Sequence, residues 1–129
     1  MKIYTGYFAK VKQYREAGLE TISIARFNRY YSGASLKLLA PAAEIIHLPE
    51  ETYLPIYKDQ LKKLSPEGIL ENIKSLAHGK DCILLCYEKP SDFCHRQVVA
   101  KWLKHHLDID VEEYSGEAKK VEPINPTLF

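Results

Sequence analysis

One apolar run, CILLCY at residues 82–87, constrains the fold of this chain more than any other segment. It has no polar residue alternating with apolar ones, so a strand formed here is expected to be covered on both faces. Helical patterns flank it: the letters SPE at residues 65–67 are typical of a helix start, and apolar residues then recur at helical spacing through residues 69–77 and again through 98–107. A buried strand between two helices is typical of a parallel sheet.

The rest of the chain also alternates between strand and helix patterns. We predict four further strands, at residues 2–7, 21–25, 44–48 and 109–113. We predict further helical segments at residues 9–17, 36–40 and 51–64, with Pro55 allowing either a kinked helix or a helix that begins near residue 55. Ser91 or Asp92 is the expected cap of the helix after the buried strand.

This alternation predicts a three-layer, Rossmann-like α/β fold, with a mostly parallel sheet of about five strands and helices on both faces. The 129 residues suit one domain, and 46% hydrophobic residues suffice for a core without disulfides. We expect this domain at residues 1–114 and a tail at residues 115–129, where periodicity fades.

Charge and cysteine content limit the classes of function. Eighteen Lys and Arg against 17 Asp and Glu give a net charge of +1, so no global field favours nucleic acid or an anionic membrane. No signal peptide and no apolar run of about 20 residues is present, which predicts a cytoplasmic protein without membrane contact. Three cysteines, an odd number, fit a reducing compartment and free thiols.

Reactive residue types cluster where the buried strand gives way to the following helix. Cys86 and Glu88 come from the strand end, and Cys94, His95 and Arg96 from the helix start. In α/β proteins, the carboxyl ends of strands and the amino ends of helices commonly bind ligands. We therefore predict the functional site at this junction.

Cys94 is the first candidate nucleophile, because the helix dipole and the neighbouring His95 and Arg96 all favour a thiolate. The alternative is a cysteine that merely packs against the sheet. Glu88 is a candidate general base, or a group that orients the imidazole, and its alternative is an ion pair with Arg96. His95 is a candidate proton carrier or a structural histidine. Cys86 would contact the ligand or resolve an oxidised Cys94, or else remain a buried strand residue.

An anionic ligand is the simplest interpretation of Arg96, whose planar guanidinium suits phosphate or carboxylate beside free helix amides. Arg26, Arg29 and Tyr30 follow the second strand and are expected to form the opposite wall, with the tyrosine stacking on a base or sugar. The alternative is an ordinary solvated loop. Tyr7, at the end of the first strand, completes the predicted ligand-binding set.

Several familiar site types are disfavoured by spacing. Cys86, Cys94 and His95 offer soft ligands, but the interval between the cysteines is not a zinc signature, so we expect no metal. A phosphatase loop, with arginine five residues after cysteine, is absent, as are a glycine-rich phosphate loop and a dinucleotide fingerprint. No cofactor is predicted.

The segment LLCYEKPSDFCHR resembles the domain of unknown function 488 family, whose pattern is Leu-Cys-x-Glu, a short loop and Cys-His-Arg opening a helix. Thr5, Gly6 and Arg26 are also similar to that family, so the resemblance covers residues 2–114. It implies a compact α/β domain with its site at this junction. Two positions depart from the pattern: Tyr7 stands where a histidine is frequent, and the Asp of Asp-Val-Arg before Arg26 is missing, so roles for those two residues are not transferred.

Two classes of function follow. The first is a small enzyme-like domain that binds an anionic ligand, derived from a nucleotide or nucleic acid, at the Cys/His/Arg/Glu site. The second is a non-catalytic nucleic-acid or protein binding module, supported by Lys101, Lys104, His105 and His106 on the last helix. The oligomeric state is not predicted.

Overall fold

A five-stranded parallel sheet forms the centre of the molecule in the computed structural model, which describes residues 1–87 and 94–116. Its order is β3-β2-β4-β1-β5. The strands are β1 (Ile3–Tyr7), β2 (Glu20–Ser23), β3 (Ala34–Ser35), β4 (Cys82–Cys86) and β5 (Val111–Glu113). The helices are α1 (Val11–Glu16), α2 (Glu50–Lys62), α3 (Pro66–Ala77) and α4 (His95–Leu107), with 3-10 turns at Phe8–Lys10 and Lys37–Leu39.

The strand β4 is central and buried along its whole length, as its apolar run predicts. Its side chains alternate between two cores because successive strand residues point to opposite faces. Cys82 and Leu84 pack with residues of α2, α3 and α4, while Ile83 and Leu85 pack with Tyr14 of α1. The predicted Rossmann-like α/β fold, with helices on both faces, is confirmed.

The chain leaves the neighbouring strands β1 and β4 toward opposite faces of the sheet. After β1 it enters α1 on one face, and after β4 it enters α4 on the other. The ends of these strands, Tyr7 and Cys86, are paired in register. In α/β proteins such a switch often marks the carboxyl ends where ligands bind, and here the cleft described below lies at the ends of β4 and its other neighbour β2.

Gly6, near the end of β1, allows α1 to pack closely against that strand. A Cβ atom at Gly6 would lie 2.6 Å from both the Tyr14 hydroxyl and an Ile83 side-chain carbon. Without it, Tyr14 reaches across β1 and its hydroxyl accepts a hydrogen bond from the Tyr7 amide at 3.3 Å. The end of β1 is thereby fixed against α1.

Helix starts follow the sequence signals in one case and not in another. Ser65 caps α3, its hydroxyl accepting a hydrogen bond from the Gly68 amide at 3.1 Å, as predicted. The helix α2 runs through Pro55 without ending. The predicted cap of α4 at Ser91 or Asp92 is wrong, because the helix begins at His95 and Cys94 is its cap.

The predicted strand at residues 44–48 is wrong, since this segment forms turns and the third strand is the short Ala34–Ser35 pair. The reason lies in α2. The Gln60 side chain accepts a hydrogen bond from the Ala42 amide at 3.1 Å and donates one to the Ala40 carbonyl at 2.7 Å. The backbone entering the segment is therefore held by a helix side chain, and Ile45 is buried as a turn residue.

Across residues 1–87 and 94–116, no helix is long and apolar enough to cross a membrane. Most of the predicted tail at residues 115–129 lies outside the described part of the chain, as does Glu88.

Candidate functional site

A cleft of about 360 Å³ opens at the carboxyl ends of β2 and β4. Its apolar lining comes mainly from the segments after β2 and before α2. Its polar or reactive lining residues are Arg26, His47, Glu50, Cys86, Cys94 and His95. The parallel pairing of β2 with β4 brings Arg26 beside the Cys94 junction, as the sequence predicts.

Cys94 is the N-cap of α4 and is buried. Its sulfur accepts a hydrogen bond from the backbone amide of Gln97, and the Gln97 side chain accepts one from the Cys94 amide at 3.2 Å. The sulfur therefore lies at the positive end of the helix, where a thiolate is favoured. This is the helix-terminus part of the environment predicted for Cys94.

Cys86, the last residue of β4, is joined to Cys94 by a disulfide. The expectation of free thiols is wrong for this pair, because the sheet end and the helix cap bring together two sulfurs that are eight residues apart in sequence. It holds for Cys82, which is free and buried at the start of β4. Burial raises the pKa of the Cys82 thiol to about 12, so Cys82 is an inert reference for the other two cysteines.

His95 lies between the end of β2 and Cys94. Its Nε2 is 2.6 Å from the Ile24 carbonyl oxygen, and its Nδ1 is 3.6 Å from the Cys94 sulfur. A carbonyl can only accept, so Nε2 carries the proton and Nδ1 presents a lone pair to the sulfur. Burial lowers the pKa of His95 to about 4, and the positive charge of Arg96 adds to that effect. The imidazole is therefore neutral near pH 7.

Arg96 is fully buried and lies behind the cleft. Its Nε and Nη2 donate to the two carboxylate oxygens of Glu113 in β5, at 3.0 and 3.1 Å, and its Nη1 donates to the Cys86 sulfur at 3.0 Å. Thr5 of β1 donates to the same carboxylate at 2.7 Å. Arg96 thus forms an ion pair with Glu113. The alternative ion pair between Glu88 and Arg96 stays a prediction, because Glu88 lies outside the described residues.

Glu113 was missed in the sequence, although a signal for it existed. Val111 and Glu113 share one face of β5 by the period of two, and Val111 packs against the core. A carboxylate on that face needs a cationic partner from the opposing helix, which Arg96 supplies. His47 was missed because residues 44–48 were assigned to a strand, and Glu50 because it falls between that strand and the helix predicted from residue 51.

The remaining predicted residues fall into two groups. Arg26 lines the cleft, with its Nε donating to the Pro41 carbonyl and its Nη2 to the Ala40 carbonyl, both at 3.0 Å. Tyr7 is half-buried, its ring 6.0 Å from the Arg96 guanidinium carbon. Arg29 and Tyr30 do not line the cleft. They stack on one another at 5.9 Å, with Tyr30 93% exposed.

Comparison with protein-family models places this chain in a family. A model for DUF488-N3a, described as the active DUF488-N3 subclade, matches residues 7–107. The chain belongs to the DUF488-N3a family. The predicted resemblance is therefore confirmed, and the DUF488-N3a match covers Arg26, Cys86 and Cys94 but ends before Glu113. No curated protein and no solved structure matches the chain.

Proposed function

We propose that the cleft is the active site of a small thiol-dependent enzyme that acts on an anionic ligand derived from a nucleotide or nucleic acid. The observation that carries this proposal is the setting of Cys94, whose sulfur lies in the cleft between the first amides of α4 and the lone pair of His95 Nδ1. The description of the DUF488-N3a family as an active subclade is consistent with catalysis.

The working form has Cys86 and Cys94 reduced, which fits the cytoplasmic location that we also propose. The Cys94 sulfur would bond to an electrophilic atom of the ligand while its proton passes to His95 Nδ1, and the leaving group would take that proton as it departs. Because burial keeps the resting His95 neutral, the imidazole carries the proton only transiently, and the Gln97 amide stabilises the negative charge that develops on the Cys94 sulfur. Glu88 stays a predicted general base outside the described residues.

Charge and size favour an anion that also carries hydrogen-bond donors. Arg26 and the amino end of α4 supply positive potential, whereas Glu50 lines the same cleft with a carboxylate. A volume of about 360 Å³ is within the range of small-molecule sites. A nucleoside phosphate combines a phosphate for the positive side with hydroxyl or amino groups for Glu50.

The rival, a nucleic-acid binding module, has weaker support. Lys104 at the end of α4 bonds to Asp108 and to Asp110, each at 2.9 Å, so acidic groups offset part of the predicted basic face. A steep dependence of strand binding on salt would favour this rival.

The proposal is tested on reduced protein by timing alkylation with iodoacetamide and locating the adduct by mass spectrometry. We expect rapid modification of Cys94, lost in Cys94→Ser and retained in the control Cys82→Ser. Adenosine monophosphate should slow the modification and raise the melting temperature, with both effects reduced in Arg26→Ala. Thiol reactivity no greater than that of Cys82, together with no protection by the nucleotide, would overturn the proposal.

A further inference from the structure

Three soft ligand atoms converge on the floor of the cleft. The Cys86 sulfur, the Cys94 sulfur and one ring nitrogen of His95 lie within 4.8 Å of one another, and all three residues are buried. We infer that, in the reduced protein, these residues bind one soft divalent cation of the Zn²⁺ type, with the cleft supplying the fourth position. This inference goes beyond the proposed thiol chemistry and does not depend on it.

The ligand atoms have the chemistry that such an ion needs, and reduction of the disulfide lets the two sulfurs separate to the spacing it requires. Zn²⁺ bonds thiolate at about 2.3 Å and imidazole at about 2.0 Å in a tetrahedron, which places two bound sulfurs about 3.7 Å apart. The α-carbons of Cys86 and Cys94 are 7.2 Å apart. Once the disulfide is reduced, this span leaves room for two thiolates separated by an ion.

Each ligand is also oriented by a second hydrogen bond. His95 donates from Nε2 to the Ile24 carbonyl, which leaves Nδ1 for the ion. The Cys94 sulfur accepts from the Gln97 amide, and the Cys86 sulfur accepts from Arg96 at 3.0 Å. Donors to a metal-bound thiolate, and an acceptor for the free N–H of a metal-bound imidazole, are the usual supports of such ligands.

The charges balance within the same cluster. Two thiolates neutralise a divalent ion, while the positive charge of Arg96 is neutralised by its two hydrogen bonds to Glu113. The nearby guanidinium therefore does not exclude a cation. The spacing argument against metal fails here because two of the ligands, Cys94 and His95, are adjacent in sequence, whereas standard zinc signatures rely on spaced pairs.

A dithiol reductant supplies two electrons and two protons to open the disulfide, and each divalent ion then displaces the two thiol protons as it binds. The three ligating residues line the cleft, so the fourth coordination position of the ion is open to water or to a ligand oxygen. Because the ion withdraws electron density from the thiolate that it binds, Cys94 should be alkylated much more slowly with the metal bound than without it.

The test uses full-length protein reduced and then freed of reductant under nitrogen. Titration with Co²⁺ should produce a cobalt–thiolate charge-transfer band that saturates at one ion per chain, and Zn²⁺ should displace it. Cys86→Ser, Cys94→Ser and His95→Gln should each weaken Co²⁺ binding at least tenfold. Cys82→Ser, which removes the remaining cysteine, should leave it unchanged.

Alkylation of the wild-type protein gives a second measurement, independent of whether a variant folds. Zn²⁺ should protect Cys86 and Cys94 from iodoacetamide at least tenfold, and a chelator should restore their modification. Absence of the charge-transfer band, or equal modification with and without Zn²⁺, would overturn the inference. If Cys94 nevertheless reacts rapidly and is shielded by adenosine monophosphate, the proposed function survives without the metal.

Discussion

Two adjacent residues at the start of α4 lie in two very different environments. His95 turns toward β2 and the cleft, where one ring nitrogen is bound to the Ile24 carbonyl and the other faces Cys94. Arg96 turns toward β1, β4 and β5, where Glu113 and the Cys86 sulfur engage its donors. The comparison shows why the two differ in role: a buried charge requires full compensation and so fixes the architecture, whereas a buried neutral imidazole keeps a lone pair for chemistry.

The largest expected effect is on the Arg96 side. Glu113→Ala leaves the buried guanidinium without its carboxylate, and we expect the free energy of unfolding to fall by about 4 kcal/mol. Urea denaturation measures this change. The control is Asp59→Ala, which removes an exposed helix ion pair and should leave the denaturation midpoint nearly unchanged. Equal midpoints for the two variants would mean that the Arg96–Glu113 pair does not fix the architecture.

The His95 side should dominate the dependence of stability on acid. The folded pKa of His95, about 4, lies below its ordinary value of 6.5, so the unfolded chain binds the extra proton first. Stability from this group is complete above about pH 6.5, declines as the pH falls toward 4, and amounts to about 3 kcal/mol. Chelator-treated wild type and His95→Gln, compared by urea denaturation between pH 7 and pH 4, should differ in slope. Equal slopes for the two proteins would show that burial of His95 does not control the acid dependence of stability.

A smaller effect on stability should distinguish the Arg96 side from the His95 side. Thr5→Val removes the hydroxyl that donates to Glu113 but leaves both Arg96 hydrogen bonds. We expect a loss of about 1 kcal/mol in unfolding free energy. Alkylation of reduced Cys94 should proceed at the wild-type rate, since Thr5 does not line the cleft. A marked change in that rate would show that the β5 contacts control the thiol.

The smallest expected effects are outside the cleft. Arg29→Ala and Tyr30→Ala should change the unfolding free energy by less than about 0.5 kcal/mol, as surface substitutions usually do. Their effect on protection of Cys94 by adenosine monophosphate tests the predicted ligand wall. Loss of protection would extend the binding surface beyond the cleft, and unchanged protection would confine it to the Arg26 side.

Much of the site could be located from the sequence because its residues are consecutive or close in the chain. The run at residues 82–87 and the Cys94-His95-Arg96 triplet predicted a strand end facing a helix start, and the structure has both. Arg26 could be placed beside them once β2 and β4 were taken as parallel neighbours. Glu113 could not, because its pairing with Arg96 depends on the position of β5 at the sheet edge.

The sequence by itself determined the layered α/β architecture, since an apolar strand between amphipathic helices can be buried in few other ways. Only the tertiary structure decided how the cysteines, His95 and Arg96 are used. The rotation of each helix about its axis and the order of the strands decide which side chains come into contact. The spacing of residues along the chain does not show which of them will be neighbours. The bond between Cys86 and Cys94, the His95 tautomer and the neutralisation of Arg96 by Glu113 all follow from contacts between separate elements.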